Sequence, residues 1–329
     1  MEHTCWMPDV LAGFEQSTLS GLKLMDGSAE SVLVRRRCVN PSTAPSAKAV
    51  LYIHGYVDYF FQTHLADFYN RQGLHFYALD LRRHGRAMRA GQLPNYTRDI
   101  DEYLQDVDAA VQLIRGEEHT DWLLLNGHST GGLVAALYAH RGPQRSAVNA
   151  LFLNSPFLDM NLPAWQQWTL EPLLAAMGAW WPRLELPAMS GVYGQSLHRE
   201  HHGDWRYNTQ WKPIGGFPVY AGWLRAIHRA QAEVARGLAI QCPVLVLHAQ
   251  RSAWPTQWHI DAMGTDVVLD VADIQRLSPG LGPQVEVHAI PGGIHDLTLS
   301  KPEPREKAFQ ALADWLSRIG ATDGTDGVA

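Results

Sequence analysis

Ser129 stands between two glycines at the end of an apolar run, in the sequence WLLLNGHSTGG, and the helical pattern LVAALYAH follows at once. A serine on a sharp strand-to-helix turn needs small residues two positions to either side, and Gly127 and Gly131 provide them. On such a turn the hydroxyl projects from the sheet edge, where the positive end of the following helix favours negative charge. The pattern therefore predicts that Ser129 is a nucleophile.

A serine hydroxyl is a poor nucleophile, so this interpretation requires a general base and a carboxylate that orients the base. When the serine lies on this kind of turn, the acid follows it along the chain and the histidine comes last. His295 lies in AIPGGIHDLTLS, directly after the last predicted strand, in a loop whose glycines let it reach back over the sheet edge. We predict that His295 is the base, with an ordinary surface histidine as the alternative.

Two backbone N–H groups should stabilise the negative charge that develops on the attacked carbonyl oxygen. The first candidate is the N–H of Thr130, which follows the nucleophile. The second should come from the loop after the predicted strand KAVLYIHG, which ends at the same sheet edge. We predict the N–H of Tyr56 for this role, and Val57 is the alternative.

The composition is that of a soluble globular protein, with 329 residues of which 46% are hydrophobic. A net charge of −6 gives no electrostatic reason to expect nucleic-acid binding. Cys5, Cys38 and Cys242 are far apart and odd in number, which implies no disulfide framework. The N-terminus lacks the pattern of a signal peptide, and no stretch is long enough for a transmembrane segment, so we expect a cytoplasmic protein.

Short apolar runs alternate with longer helical patterns, which is typical of a mostly parallel sheet with helices on both faces. The helical patterns include RDIDEYLQDVDAAVQLIRGE and EPREKAFQALADWLSRI. Strands are predicted at residues 48–55, 75–80, 122–127, 149–155, 243–249 and 285–290.

The alternation breaks between residues 156 and 240, which divides the chain into a core of residues 1–155 and 241–320 and an inserted cap. Residues 321–329 are predicted to be a flexible tail. Large aromatics are concentrated in the cap, and they either form a small core of its own or line an apolar pocket above the sheet. We expect Trp180, Trp181, Trp205 and Trp211 to line such a pocket; the cap also contains Trp165, Trp168 and Trp223.

Four motifs together, IHGYVDYF, ALDLRRHGRA, NGHSTGG and GIHD, resemble the alpha/beta-hydrolase superfamily. The resemblance is closest to its monoacylglycerol lipase and lysophospholipase-like branch, often labelled serine aminopeptidase-like, and covers about residues 30–320. It implies an α/β fold with an eight-stranded, mostly parallel sheet and an inserted cap. It implies no cofactor, and it assigns Ser129 as nucleophile, His295 as base, and Tyr56 and Thr130 as the oxyanion hole.

The acid of the triad departs from the family pattern, in which it follows the strand PVLVLHG within a few residues. Here Ser252 stands near that point, so the acid must come from a longer loop. We predict Asp266, because the segment Asp266-Val-Val-Leu-Asp270 has the spacing of an acid followed by a helix whose N-cap is Asp270. Asp270 and Asp261 are the alternatives.

Two further clusters of polar residues are expected to have structural roles. His198, His201 and His202 lack the helical spacing of a metal motif, and we predict no metal there. Asp80, Arg82 and His84 match a turn that braces loops in the family.

These features predict a serine hydrolase that cleaves apolar esters through an acyl-enzyme. We expect a small apolar ester as the substrate, no nucleic acid, and transient contact of the cap with a membrane surface; the sequence does not indicate an oligomeric state. A lactone or carbon–carbon bond hydrolase would use the same residues, and a ligand receptor is the alternative outside catalysis. An aminopeptidase would need a cap carboxylate to hold the substrate amine, and the candidates are Glu171, Glu185, Glu200 and Asp204.

Overall fold

The computed structural model describes residues 5–24, 27–38, 48–117, 120–160, 177–186 and 190–322. Their centre is a nine-stranded sheet, and a separate two-stranded sheet lies between its seventh and eighth strands in the chain. The strands in chain order are β1 (Met7–Pro8), β2 (Glu15–Leu24), β3 (Gly27–Arg36), β4 (Lys48–Ile53), β5 (His75–Asp80), β6 (Trp122–His128), β7 (Ala150–Asn154), β8 (Glu185–Leu186), β9 (Val219–Tyr220), β10 (Val244–Ala249) and β11 (Val285–Ile290).

The large sheet has the order β1-β2-β3-β5-β4-β6-β7-β10-β11. Six neighbouring strands are parallel to one another, and β1, β2 and β3 form an antiparallel extension at one side. The parallel strands are β5, β4, β6, β7, β10 and β11, in their order across the sheet. The predicted mostly parallel sheet is therefore confirmed, and the strand beyond the expected eight is the two-residue β1 at the edge. All six strands predicted from the apolar runs are present. The strands inside the sheet are buried on both faces and are therefore mainly apolar, whereas the edge strand β11 is partly exposed.

The helices lie on both faces of the sheet, as the alternating pattern predicts. The helices are α1 (Thr63–Arg71), α2 (Ile100–Glu117), α3 (Thr130–Arg141), α4 (Val192–Leu197), α5 (Ala221–Ala235), α6 (Val271–Leu277) and α7 (Pro302–Arg318). Residues of β4 show the division: Leu51 belongs to an apolar cluster with side chains of α2, α3 and α5, while its neighbour Val50 belongs to the cluster on the opposite face, with side chains of α1 and α7. Among the described residues, no helix has the length and apolar character needed to cross a membrane.

The elements that the sequence patterns did not predict include strand β2 and helix α5, together with the short elements β1, β8, β9 and α4. The strand β2 pairs with β3 as a hairpin, although its alternation of polar and apolar residues is weak. Helix α5 lies in the cap segment that the broken alternation marked as irregular. Its buried side chains recur every three or four residues, so the signal of an amphipathic helix was present: Trp223, Ala226, Ile227, Ala230 and Val234.

The C-terminal tail begins later than the sequence predicts. Ala321 was expected to begin the flexible tail, but it is buried and its N–H donates to the carbonyl of Leu316. Residues 323–329 of that tail lie outside the described residues. The cap residues Trp165, Trp168 and Glu171 lie outside them as well.

Candidate active site

Ser129 lies at the junction of β6 and α3, with the unusual backbone angles φ 54° and ψ −119°. Its N–H donates to the carbonyl of Asn154, at the end of the neighbouring strand β7, at 3.1 Å. The turn is tight, because a side chain at Gly127 would collide with the backbone of Gly131, and one at Gly131 with the carbonyl oxygen of Ile53. The two glycines therefore allow a strained serine to stand at the sheet edge.

Three side chains form a continuous hydrogen-bonded row at this edge. Nε2 of His295 lies 3.0 Å from Oγ of Ser129, and its Nδ1 lies 2.8 Å from Oδ2 of Asp266. The other oxygen of Asp266 accepts the N–H groups of Val268 and Leu269, each at 2.8 Å. All three members of the row are buried. The carboxylate is fixed from both sides and can hold the imidazole in one orientation and tautomer.

A short bridge explains how a residue so far beyond β10 reaches this place. Ser252 and Asp266 pair as an isolated parallel bridge, in which the N–H of Asp266 donates to the carbonyl of Arg251 and the N–H of Ala253 donates to that of Asp266. The chain between them leaves the core and returns, so that Asp266 lies beside the residues that follow β10. The long loop therefore places the Asp266 carboxylate at the sheet edge.

The other two aspartates of this loop have different surroundings. Asp270 is the N-cap of α6, and its side chain accepts the N–H of Ala272 at 3.0 Å. Asp261 lies in an exposed turn beside His259, away from the row. The structure therefore brings Asp266, and neither alternative, to His295.

Tyr56, Val57 and Thr130 line the same cavity as Ser129. None of their three backbone N–H groups has a hydrogen-bond acceptor in the part of the chain that the structure describes. Val57 adopts a positive φ of 49°, which is rare for a β-branched residue. Both Tyr56 and Val57 therefore remain candidates for the second donor beside Thr130.

The cavity above Ser129 has a volume of about 430 Å³ and is mainly apolar. Asp58 and Lys212 also line it, and they pair with each other at 2.7 Å. The apolar lining comes from the core, from the cap and from the loop that carries Asp266: Phe157, Met160, Ile214, Val219, Trp223, Leu224, Trp254, Val267, Val268 and Leu269.

The four tryptophans expected in the pocket are not part of this lining, which corrects the prediction. Trp180 and Trp181 are 78% and 66% exposed. Trp205 packs against the core instead, because its indole N–H donates to the carbonyl of Leu299. Trp211 packs edge-on against Tyr59. The sequence placed large aromatics in the cap but did not determine which of them face the cavity.

Tyr193, Trp223, Trp254 and Lys212 were missed as cavity residues. Trp223 had a usable signal, since it lies on the buried stripe of α5. Tyr193 lies in the short helix α4, whereas Trp254 and Lys212 come from irregular segments, in which the local sequence pattern does not indicate where a side chain points. None of the cap carboxylates proposed for an aminopeptidase is in the lining among the described residues, and Asp204 pairs with Lys301.

His295 is flanked by two further aromatic rings. Tyr193 meets the ring of His295 edge-on, with centroids 5.4 Å apart, and its hydroxyl accepts the N–H of Asp296. On another side lies His128, whose centroid is 4.8 Å from that of His295. Burial lowers the pKa of His128, so this ring is neutral at neutral pH and adds no charge beside the base.

A buried carboxylate connects the serine and histidine loops. Asp296 accepts the side-chain N–H of Asn154 at 2.7 Å, and the carbonyl of Asn154 accepts the N–H of Ser129. Thr298 also donates to Asp296 through its backbone N–H and its hydroxyl. The two loops are therefore held by one network.

The motif around Asp80 has a bracing geometry. Asp80 accepts the N–H groups of Phe60 and Arg86 and forms an ion pair with the Arg86 side chain. Arg82 forms a fully buried ion pair with Asp106. Burial holds the pKa of His84 well below its usual range, and its ring pairs with the carbonyl of Arg82. These contacts connect the loops after β4 and β5.

The cap histidines are engaged with aromatic rings. His198 meets Tyr207 edge-on, and His202 stacks on Trp258. Within the described ranges, no group of three His, Cys, Asp or Glu side chains converges in a way that could hold a metal ion.

A family model described as serine aminopeptidase, S33, matches residues 44–302. A monoacylglycerol lipase of Mycolicibacterium smegmatis is 32% identical over 120 residues, which are 36% of this chain and 41% of that relative. The chain thus matches less than half the length of this relative.

Two solved structures illustrate the likeness of fold. A soluble variant of monoglyceride lipase from Saccharomyces cerevisiae, in complex with a substrate analog, matches with a TM-score of 0.69 and 17% identity, over 93% of this chain and 97% of that one. A monoacylglycerol lipase of Paleococcus ferrophilus matches with a TM-score of 0.61 and 20% identity, over 84% and 96% of the two chains. At such identities the likeness shows the fold alone.

Proposed function

This chain belongs to the serine aminopeptidase S33 family of alpha/beta hydrolases, and we propose that it is a serine hydrolase that cleaves carboxylic esters of apolar acids. The observation that carries the proposal is the row from Asp266 through His295 to Ser129, with spacings of 2.8 and 3.0 Å, beside an apolar cavity. Such a row converts a weak hydroxyl nucleophile into a reactive one.

In the proposed reaction, Nε2 of His295 removes the proton of Ser129 as Oγ attacks the ester carbonyl. Asp266 stabilises the imidazolium that forms and keeps the ring oriented. His295 then protonates the leaving alcohol, which leaves the acyl group on Ser129. A water molecule, activated by the same histidine, attacks the acyl-enzyme and releases the acid. These groups account for both steps, so the mechanism requires no cofactor.

The negative charge on the carbonyl oxygen needs donors that are in place before the reaction. The N–H groups of Thr130 and Tyr56 border the cavity and have no other acceptor among the described residues, which supports their assignment as the oxyanion hole. Thr130 is also the first residue of α3, whose dipole favours negative charge at this end. Each donor should increase turnover by a factor on the order of 10²–10³.

The side chains that line the cavity above Ser129 indicate the class of substrate. A cavity of about 430 Å³ with mainly aliphatic and aromatic walls fits an apolar acyl chain better than a charged group. Several similar proteins are named monoacylglycerol or monoglyceride lipases, which supports a monoacylglycerol- or lysophospholipid-like ester. We also propose that the exposed Trp180, Trp181 and Leu184 make transient contact with a membrane surface. A cytoplasmic location stays a prediction.

The family name raises the alternative of an aminopeptidase. Such an enzyme needs a carboxylate that is available to the free α-amine of its substrate. Asp58 is the acidic residue in the described lining, and its Oδ1 already binds the Lys212 ammonium at 2.7 Å. A substrate amine would have to compete with this buried pair, so the geometry favours ester hydrolysis.

One experiment distinguishes ester hydrolysis from aminopeptidase activity. Hydrolysis of p-nitrophenyl butyrate and of proline p-nitroanilide should be measured with the wild-type protein and with Ser129→Ala. We expect the wild type to cleave the ester with a large excess in kcat/KM over the anilide, and the variant to cleave neither. Preferential cleavage of the anilide by the wild type would support the peptidase and contradict the ester proposal.

A further inference from the structure

Three contacts connect the loop after β4 to one segment of the cap. The loop comprises residues 54–59 and carries the Tyr56 and Val57 N–H groups; we call it the oxyanion loop. The cap segment comprises residues 208–218. The hydroxyl of Tyr56 donates to the carbonyl of Pro218 at 2.9 Å, and Nζ of Lys212 donates to Oδ1 of Asp58 at 2.7 Å. The N–H of Asn208 donates to the hydroxyl of Tyr59 at 2.7 Å.

The central contact is an ion pair removed from solvent. Lys212 is only 6% exposed and Asp58 only 2%. The ammonium lies 5.8–5.9 Å from the centroids of three rings, those of Phe61, Tyr193 and Tyr207. Burying two charges costs most of what their attraction returns, and well-packed apolar residues usually stabilise a fold as well or better. A gain in stability therefore does not explain the buried Lys212–Asp58 pair. A need to hold the oxyanion loop in one position does explain it.

The oxyanion loop is held against its local preference. Val57 has a φ of 49°, in the left-handed region that β-branched residues avoid. Such a conformation persists only where neighbouring contacts impose it. Tyr56 and Asp58, on either side of Val57, are both bound by the cap segment. The contacts from the cap thus flank the strained residue whose peptide orientation sets the direction of the donors.

We propose that Lys212 is a positioning residue, which through Asp58 holds the oxyanion loop in the orientation that stabilises the oxyanion on a substrate attacked by Ser129. The inference rests on the proposed function. Lys212 touches no reacting atom in this account. The cap segment 208–218 completes the oxyanion hole, so hydrolysis requires this segment to be docked on the loop, and the cap controls the rate of the chemical step as well as access to the cavity.

Replacement of Lys212 by methionine removes the ammonium but keeps the length of the side chain. We expect kcat to fall on the order of 10²-fold, the effect of removing one oxyanion donor, with little change in KM. The affinity for an alkyl trifluoromethyl ketone, which forms a tetrahedral oxyanion adduct with a serine, should fall in the same proportion. Inhibition by a neutral long-chain alcohol should not change, because that ligand carries no anionic oxygen for the hole to stabilise.

Further variants distinguish an effect on the position of the oxyanion loop from an effect of charge alone and from a loss of stability. Asp58→Asn should lower kcat similarly, and the double variant with Lys212→Met should be no worse than the poorer single variant, because both remove one interaction. Lys212→Arg should recover part of the lost rate. Lys301→Met is the control, since it removes an exposed ion pair between the cap and the core, with Asp204. It should retain wild-type kcat, and melting temperatures report whether each variant is folded.

A kcat for Lys212→Met within threefold of the wild type would overturn the inference. So would a loss confined to KM and to esters of one alcohol, because Lys212 would then bind the substrate. The rate of labelling of Ser129 by a fluorophosphonate gives a second readout, since the phosphoryl oxygen occupies the same hole. If the wild type is labelled but cleaves no ester, the proposed function fails, while the labelling rate of Lys212→Met still decides the inference.

Discussion

Asp266 and His295 are separated by 29 positions in the sequence, yet Oδ2 of the aspartate lies 2.8 Å from Nδ1 of the histidine. The second carboxylate oxygen accepts two backbone N–H groups from the turn that follows. This turn leads into α6, whose N-cap is Asp270. The Asp266 carboxylate is therefore held by the turn that begins a helix, and it orients the imidazole of His295 in turn.

Asp266→Asn should reduce turnover by up to ~10⁴-fold, because the amide no longer selects the required tautomer of His295 or stabilises its imidazolium. The amide oxygen can still accept the N–H groups of Val268 and Leu269, so the fold should be retained. The measurement is kcat on p-nitrophenyl butyrate, accompanied by the melting temperature.

The matched controls are the two other aspartates of the loop. Asp270→Asn should keep near-wild-type turnover and lose at most about 1 kcal/mol of stability, since asparagine is also a good N-cap. Asp261→Asn changes an exposed turn and should affect neither quantity. If Asp270→Asn or Asp261→Asn loses most of its turnover while Asp266→Asn keeps it, the assignment of Asp266 as the acid is wrong.

The stability of the protein should fall in mildly acidic solution. Burial lowers the folded-state pKa of four histidines below the ordinary value of 6.5, so they are neutral in the folded protein: His64, His84, His128 and His248. The unfolded chain binds protons at these positions below about pH 6.5, whereas the folded protein binds them only at lower pH. The contribution of these four histidines to the free energy of unfolding is therefore greatest above pH 6.5. It decreases as the pH falls from 6.5 through the lowered pKa values of the folded protein.

Denaturant unfolding between pH 8 and pH 5 measures this slope. His64→Gln is a useful variant, because a glutamine amide can replace the ring N–H that donates to the carbonyl of Thr298 but does not titrate. It should reduce the slope below pH 6.5. A free energy of unfolding that stays constant or increases on acidification would show that these histidines are not held neutral.

The lining predicts which cap residues set the preferred acyl length. Leu224 borders the cavity, so Leu224→Trp should fill part of its volume and exclude long chains. The ratio of kcat/KM for p-nitrophenyl decanoate to that for the butyrate should fall by roughly tenfold or more. Trp180→Ala, on an exposed side chain, should leave this ratio and the melting temperature unchanged. A larger change of the ratio in Trp180→Ala than in Leu224→Trp would contradict the observed lining.

The sequence predicted those parts of the fold that depend on local pattern. The buried parallel strands carry uninterrupted apolar runs, and the glycines around Ser129 have spacings set by a tight turn. Asp266 could be chosen over its neighbours because the start of a helix requires an N-cap, which Asp270 supplies.

The rest of the site depends on contacts between distant parts of the chain. Lys212 meets Asp58 across 154 positions, and the indole of Trp205 meets Leu299 across 94. Neither contact leaves a periodic trace in the sequence. A tryptophan has the same apolar character whether it faces a cavity, a neighbouring loop or solvent, so composition alone assigned the wrong cap tryptophans to the pocket.

The proposed mechanism depends on transfer of an acyl group to Oγ of Ser129, and mass spectrometry of the enzyme during turnover can detect this intermediate. The protein is mixed with excess p-nitrophenyl butyrate, quenched in acid within the first turnovers and digested. Asp266→Asn can be used in the same way if deacylation is too fast in the wild type. We expect a butyryl adduct on the peptide that contains Ser129 and no adduct in Ser129→Ala. A butyryl group on another residue, or continued hydrolysis by Ser129→Ala at the wild-type rate, would contradict it.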